Sequence, residues 1–251
     1  MQPTPDAQPL VDQTAPRSVR RPVVVIALAA LLSAFIVIMA MRTPAEAVPA
    51  SDHAGNSGGH AHGPTLLPPR TAAQVAFHDQ MRKLWEDHVT WTRLAIVSFA
   101  AGSPGFDETA ARLLRNQADI GDAVKPFYGE EAGNQLTALL HDHITIAVEL
   151  LQAAKADDTA AFEDARVRWY ANADDVADFL STANPRWWPQ ADLRGAMRTH
   201  LDQTLAEAAH ELAGDYAASV ADYEEIHSHI LAMADLLSAG IMRQFPGRFG
   251  G

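Results

Sequence analysis

The sequence predicts an all-α protein, in which one N-terminal transmembrane helix precedes an up-down bundle of about six helices built as three consecutive hairpins. Three observations carry this expectation. Val23 to Met41 is a run of 19 uncharged residues, enough to cross most of a bilayer as one helix. From Thr71 onward apolar residues recur at helical spacing, as in Met81, Leu84, Trp85, His88, Trp91 and Ala95, and no alternating strand pattern occurs. Turn residues then cut the helical stretch at regular intervals.

Residues 1–21 are rich in Pro, Gln and Asp with no apolar period, and read as a short disordered cytoplasmic tail. Arg17, Arg20 and Arg21 precede the apolar run while Arg42 alone follows it closely. The positive-inside rule therefore makes residues 22–42 a signal anchor in the plasma membrane, single-pass, with the N-terminus cytoplasmic and the C-terminal bulk extracytoplasmic. Cleavage as a signal peptide after Ala45-Glu46-Ala47 is the competing reading, although the run is longer than the usual signal core. Residues 43–70, with Pro44, Pro49, Gly58, Gly59, Pro68 and Pro69, form a Pro/Gly/His-rich tether that also carries His53, His60 and His62.

Residues 71–251 form the extracytoplasmic domain. Breaks at Gly102-Ser103-Pro104-Gly105, Pro126-Phe127-Tyr128-Gly129, Asp157-Asp158, Asn184-Pro185 and Gly214-Asp215 define helices over roughly 71–101, 107–125, 131–155, 159–182, 190–213 and 216–243. Their short connections make neighbours antiparallel. A weak repeat groups them. At an offset of 57, His143 falls on His200 and Asp158 on Asp215, and Asn116, Asp119 and Asp122 match Asn172, Asp175 and Asp178 at an offset of 56.

Composition excludes several classes. The chain has no cysteine, which removes disulfides, thiolate metal sites and cysteine nucleophiles. Of its 19 basic and 31 acidic residues, 14 and 27 lie beyond Arg70, so the domain carries a formal charge near −13. Such a surface repels phosphate backbones, and nucleic acid is not an expected partner. The membrane span is the one partner the sequence names; a protein partner stays unidentified. Walker, His-Glu-x-x-His and dinucleotide signatures are all missing.

Each hairpin carries one histidine on its first helix, His88, His143 and His200, and its second helix supplies Asn116, Asn172 or His229 at a separation of 28 or 29 residues. The midpoints fall on the turns, so each histidine is expected level with its partner, and all three pairs in one layer about 21 Å from the hairpin tips. His88 and His143 lie on apolar stripes and should face the core. Asp119 and Asp175 follow one turn beyond the partner positions. Imidazoles with carboxylates nearby suit a divalent metal (zinc, iron, manganese or copper), with Asn116, Asp119, Asn172, Asp175 and His229 in support. The competing reading makes the same histidines core hydrogen-bonders in a structural or partner-binding domain. Glu207-x-x-His210 and Glu224-x-x-His227 echo the carboxylate-bridged di-iron unit, without assignable bridging partners. Trp187-Trp188 is expected to cap an apolar end of the bundle.

The segments Leu84-Trp85-Glu86-Asp87-His88-Val89-Thr90-Trp91-Thr92-Arg93, Lys125-Pro126-Phe127-Tyr128-Gly129, Trp169-Tyr170-Ala171-Asn172-Ala173-Asp174 and Gln244-Phe245-Pro246 resemble those of an uncharacterised family of small all-helical bacterial proteins, over most of residues 80–249. The resemblance implies a bacterial origin and a helical fold, and no reaction.

Overall fold

A computed structural model describes residues 71–250. The tail, the apolar run and the tether lie outside the described residues, and so do His53, His60 and His62. Among the described residues no helix is long and apolar enough to cross a membrane.

Six α-helices and no strand are present among these residues: α1 Ala72–Ala100, α2 Phe106–Tyr128, α3 Glu130–Lys155, α4 Thr159–Ala183, α5 Gln190–Ala213 and α6 Tyr216–Gln244, followed by a 3₁₀ turn over Pro246–Phe249. Their starts and stops have local causes. Thr71 closes a capping box with Gln74 at the head of α1. Asp158 and Asp215, the pair aligned by the repeat, both accept a backbone N–H three residues on and cap α4 and α6. The residues before them, Asp157 and Gly214, adopt left-handed φ values of 56° and 78°, so two hairpin tips turn in the same way.

Only one boundary departs clearly from expectation. Pro126 does not end α2, which runs on to Tyr128. In the last turn a proline removes one backbone donor without interrupting the ladder beyond it, and Gly129, at φ 88°, makes the stop.

Each helix packs on its chain neighbours, and α6 returns to α1, so the six close into a ring across which α1 also touches α5. The hairpins are not insulated units: α2 and α3, from different hairpins, pack as extensively as the two helices within a hairpin. Glycine makes this contact close. A Cβ on Gly121 would lie 2.6 Å from the Gly133 carbonyl oxygen, and one on Gly133 would lie 2.7 Å from the Gly121 carbonyl oxygen. Leu136, Leu140, Val176, Leu201, Ile230 and Ile241 fill the interior.

One end is sealed by aromatic side chains. Phe127 contacts Phe77, Phe245 and Phe249, with ring centroids between 5.0 and 5.6 Å apart, and the Thr71 hydroxyl donates to the Phe249 carbonyl at 2.8 Å. Trp188 caps the core as expected, fully buried beside Gly240, where a Cβ would fall 2.0 Å from its indole nitrogen. Trp187 instead carries the guanidinium groups of Arg186 and Arg243 over its ring.

Candidate functional site

His88, His143 and His200 project from α1, α3 and α5, the alternate helices of the ring, and all three are at least 96% buried. They meet in one layer. The ring centroid of His200 is 5.7 Å from that of His88 and 6.4 Å from that of His143. Trp85 and Trp169 flank the group, 5.8 Å from His88 and 5.2 Å from His143.

The partner helices repeat one contact three times. Asn116 Nδ2 donates to Leu84 O at 3.0 Å, Asn172 Nδ2 donates to Leu139 O at 3.1 Å, and His229 Nε2 meets Ala196 O at 2.9 Å. Each acceptor carbonyl lies four residues before the histidine of its own hairpin. The three-unit arrangement suggested by residue spacing is therefore visible as a hydrogen-bond pattern.

The imidazoles are not equivalent. Asn172 gives its NH₂ to a carbonyl, so its Oδ1 accepts from His143 Nδ1–H at 2.8 Å, which leaves the lone pair of His143 on Nε2. Gln117 donates through Nε2 to Leu113 O at 2.8 Å and, by the same NH₂, to His88 Nδ1 at 3.2 Å, so the neutral His88 carries its proton on Nε2. The expected His88–Asn116 pair is thus replaced by His88–Gln117, one position along α2. His200 has lost its expected partner altogether: His229 is turned to Ala196, and His200 Nδ1 is buried without a hydrogen bond. Trp85 Nε1 and Gln117 Oε1, beside the same layer, are also unpartnered. Such groups are rare in protein interiors, and three around one layer mark a place that can take up a further polar species.

All three imidazoles are held neutral. Burial, reinforced by the neighbouring His143, pushes His88 down to about 3. Burial also lowers His143, to about 4, opposed by Asn172. His200 falls well below its ordinary value through burial and the proximity of His88, His143 and His229.

The carboxylates do not join the layer. Asp119 is about half exposed and reaches toward Arg112 at 3.8 Å, and Asp175 is exposed. Helical geometry explains the correction, because a step of three residues from a buried Asn rotates the next side chain toward the outer edge of the stripe. Asp122, Asp178 and Asp235 form outer ion pairs with Lys125, Arg194 and Arg82. Among the described residues no three His, Asp or Glu side chains surround a common point closely enough to hold a metal ion. Convergence of the three histidines is observed; a finished coordination polyhedron is not.

A second polar cluster was not anticipated. Glu207 is fully buried and accepts from Arg93 Nη1 at 2.6 Å, while the same nitrogen reaches Ser219 Oγ at 3.1 Å and Ser219 O at 3.2 Å. Ser219 Oγ in turn donates to Glu211 at 2.8 Å. Burial raises Glu207 to about 7 in spite of Arg93. The signal was present in the spacing, since Leu193, Met197, His200, Thr204, Glu207 and Glu211 form one 3–4 stripe on α5, and all are buried. Neither Glu-x-x-His unit acts as such: His210 pairs with Asp222 at 2.6 Å and His227 with Glu86 at 3.0 Å. Compared with models of known protein families, with curated proteins and with solved structures, the chain finds no match.

Proposed function

We propose that this protein is a membrane-anchored bacterial binding module, whose extracytoplasmic helical bundle takes up one transition-metal ion at the histidine layer. The observation that carries the reading is the unpartnered Nδ1 of buried His200 beside a second imidazole, His143, whose bond to Asn172 puts its lone pair on Nε2. A buried polar group without a partner costs about 1–3 kcal/mol, and a bound ion would remove that cost. The hydrogen bond from His143 Nδ1 to Asn172 is also of the type that orients a ligating imidazole. His88 takes a flanking role in this reading, since Gln117 occupies its Nδ1 and leaves a proton on the other nitrogen. No reaction follows from the arrangement.

The triple contact of Asn116, Asn172 and His229 with carbonyls favours a second reading. In it the layer is a polar device that fixes helix register, with the function on an outer surface. Elemental analysis of the full-length protein in detergent separates the two. His53, His60 and His62 are replaced by Ala so that the tether cannot contribute. Retained stoichiometric metal, lost in a His143→Leu, His200→Leu variant that keeps its helical circular dichroism, supports the module. Metal-free protein after exposure to zinc, copper, iron and manganese returns the histidines to a structural role.

A further inference from the structure

Resting on the membrane-anchored part of that reading, we infer that the end of the bundle holding Thr71 is a docking surface for a lipid bilayer with anionic headgroups, contacted through Arg186, Trp187, Arg243 and Arg248. Three independent observations meet there.

The first is where the chain enters. The Thr71 hydroxyl, at the head of α1, donates to Phe249 O, so the start of the domain lies against its last turn. Residues 43–70 lead into Thr71, and a Gly-rich chain of that length has a mean span of about 30 Å. The hairpin tips stand a further helix length, roughly 40 Å, away. An anchor upstream of Thr71 therefore presents this end to the bilayer at a higher effective concentration than the tips.

The second is charge. The domain is strongly acidic, but its two ends differ. At the hairpin tips, residues 101–105, 156–158 and 214–215 hold Asp157, Asp158 and Asp215 and no base. At the Thr71 end, residues 184–189 and 245–250 hold Arg186 and Arg248, both exposed, and no acid, while Arg243 lies in the last turn of α6. The acids nearby, Glu130, Glu131 and Asp192, stand in the first turns of α3 and α5, where the helix dipole favours them, and Glu130 is paired with Lys125 at 3.2 Å. One arginine close to an anionic surface raises association about fivefold, so three together give about a hundredfold.

The third is the aromatic chemistry. Trp187 is half-buried, and the guanidinium carbons of Arg186 and Arg243 lie 5.0 and 4.8 Å from its ring centroid. An indole beside guanidinium groups suits the headgroup level of a bilayer, where the ring meets the acyl boundary and the cations meet phosphates. Behind it stands a continuous aromatic seat. The ring of buried Trp188 is 6.0 Å from that of Tyr128, Tyr128 is 5.3 Å from Phe245, and Phe245 is 5.6 Å from Phe127.

The chain has no cysteine, so one introduced cysteine gives one labelled position. The full-length protein carries a nitroxide either at Gly247→Cys, where a Cβ meets nothing within 4 Å, or at Ala101→Cys, exposed at a hairpin tip. Each is reconstituted in vesicles of phosphatidylcholine alone or mixed with phosphatidylglycerol. Relaxation of the label by oxygen, which concentrates in the bilayer, is compared with relaxation by a water-soluble nickel chelate. In mixed vesicles oxygen is expected to dominate at position 247 and the chelate at position 101. The preference at position 247 is expected to be lost in phosphatidylcholine alone, and lost in mixed vesicles when Arg186→Gln, Arg243→Gln and Arg248→Gln are combined with helical circular dichroism unchanged. Chelate dominance at position 247 in mixed vesicles, or oxygen dominance at position 101, overturns the assignment. An oxygen preference at position 247 that persists without phosphatidylglycerol or survives the triple substitution also overturns it, because arginines on anionic headgroups are then not its cause. Flotation of the vesicles after an alkaline wash tests the anchor separately. Protein stripped by the wash overturns the anchored reading and this inference with it, whereas protein that floats with position 247 open to the chelate overturns this inference alone.

Discussion

Acidification is the most direct perturbation of the histidine layer. Unfolded imidazoles titrate near 6.5, while His88 and His143 are held at about 3 and about 4 and His200 well below its ordinary value. Their contribution to stability is therefore fully present above pH 6.5 and is lost as pH falls from there toward the folded values. Glu207 runs the other way. Its folded value of about 7 exceeds the usual 4.5, so the native state holds its proton where the unfolded state does not, and between those limits acidification adds stability. At pH 5.5 the unfolded chain binds about 2.7 protons on the three imidazoles, and the native chain binds about 0.9 more than the unfolded one on Glu207. The net difference of roughly two protons gives a slope of about 2–3 kcal/mol per pH unit, and integrating from pH 6.5 to 5 gives a loss of about 3 kcal/mol. For a domain of ordinary stability that is a large fraction of the total. Urea unfolding of the metal-free protein at several pH values, followed by circular dichroism, measures it. Glu207→Gln removes the opposing group and is expected to steepen the slope at pH 5.5 to about 4 kcal/mol per unit. A stability flat across this window in the wild type, or a slope unchanged in the variant, would refute the description of these groups as buried and unpaired with acids.

Two further substitutions test the packing. Asn172→Ala strips the partner from both His143 Nδ1 and Leu139 O, and is expected to cost about 2–4 kcal/mol in urea unfolding, more than replacement of the exposed neighbour Asp175 by Ala. Gly121→Ala places a methyl group 2.6 Å from the Gly133 carbonyl and 2.0 Å from Thr137 Oγ1, so α2 and α3 must separate. A destabilisation of about 1–3 kcal/mol is expected in thermal unfolding, and an unchanged transition would show that this crossing is not close.

Several features of the site were legible because they are local or periodic. The spacing of 28 or 29 residues about each turn brought His88, His143 and His200 to one level, and the apolar stripes aimed His88 and His143 inward. Other features depended on tenths of a helical turn. Whether Asn116 or its neighbour Gln117 meets His88 depends on the rotation of α2 against α1, which no period resolves. The turn of His229 to Ala196 O, and with it the unpartnered nitrogen of His200, depends on how α6 seats against α5. Arg93 and Glu207 lie 114 residues apart and meet only because α1 and α5 approach across the ring.

Sequence alone was sufficient for the helical class, the positions of the turns, the common level of the three histidines and the inward face of His88 and His143, because each rests on interactions within a few residues or on a helical period. The tertiary structure decided the closure of six helices into a ring, the exposure of Asp119 and Asp175, the proton positions on His88 and His143 and the unpartnered nitrogen of His200. Those depend on how one helix rotates and seats against another, where a shift of a fraction of a turn exchanges one hydrogen-bond partner for the next.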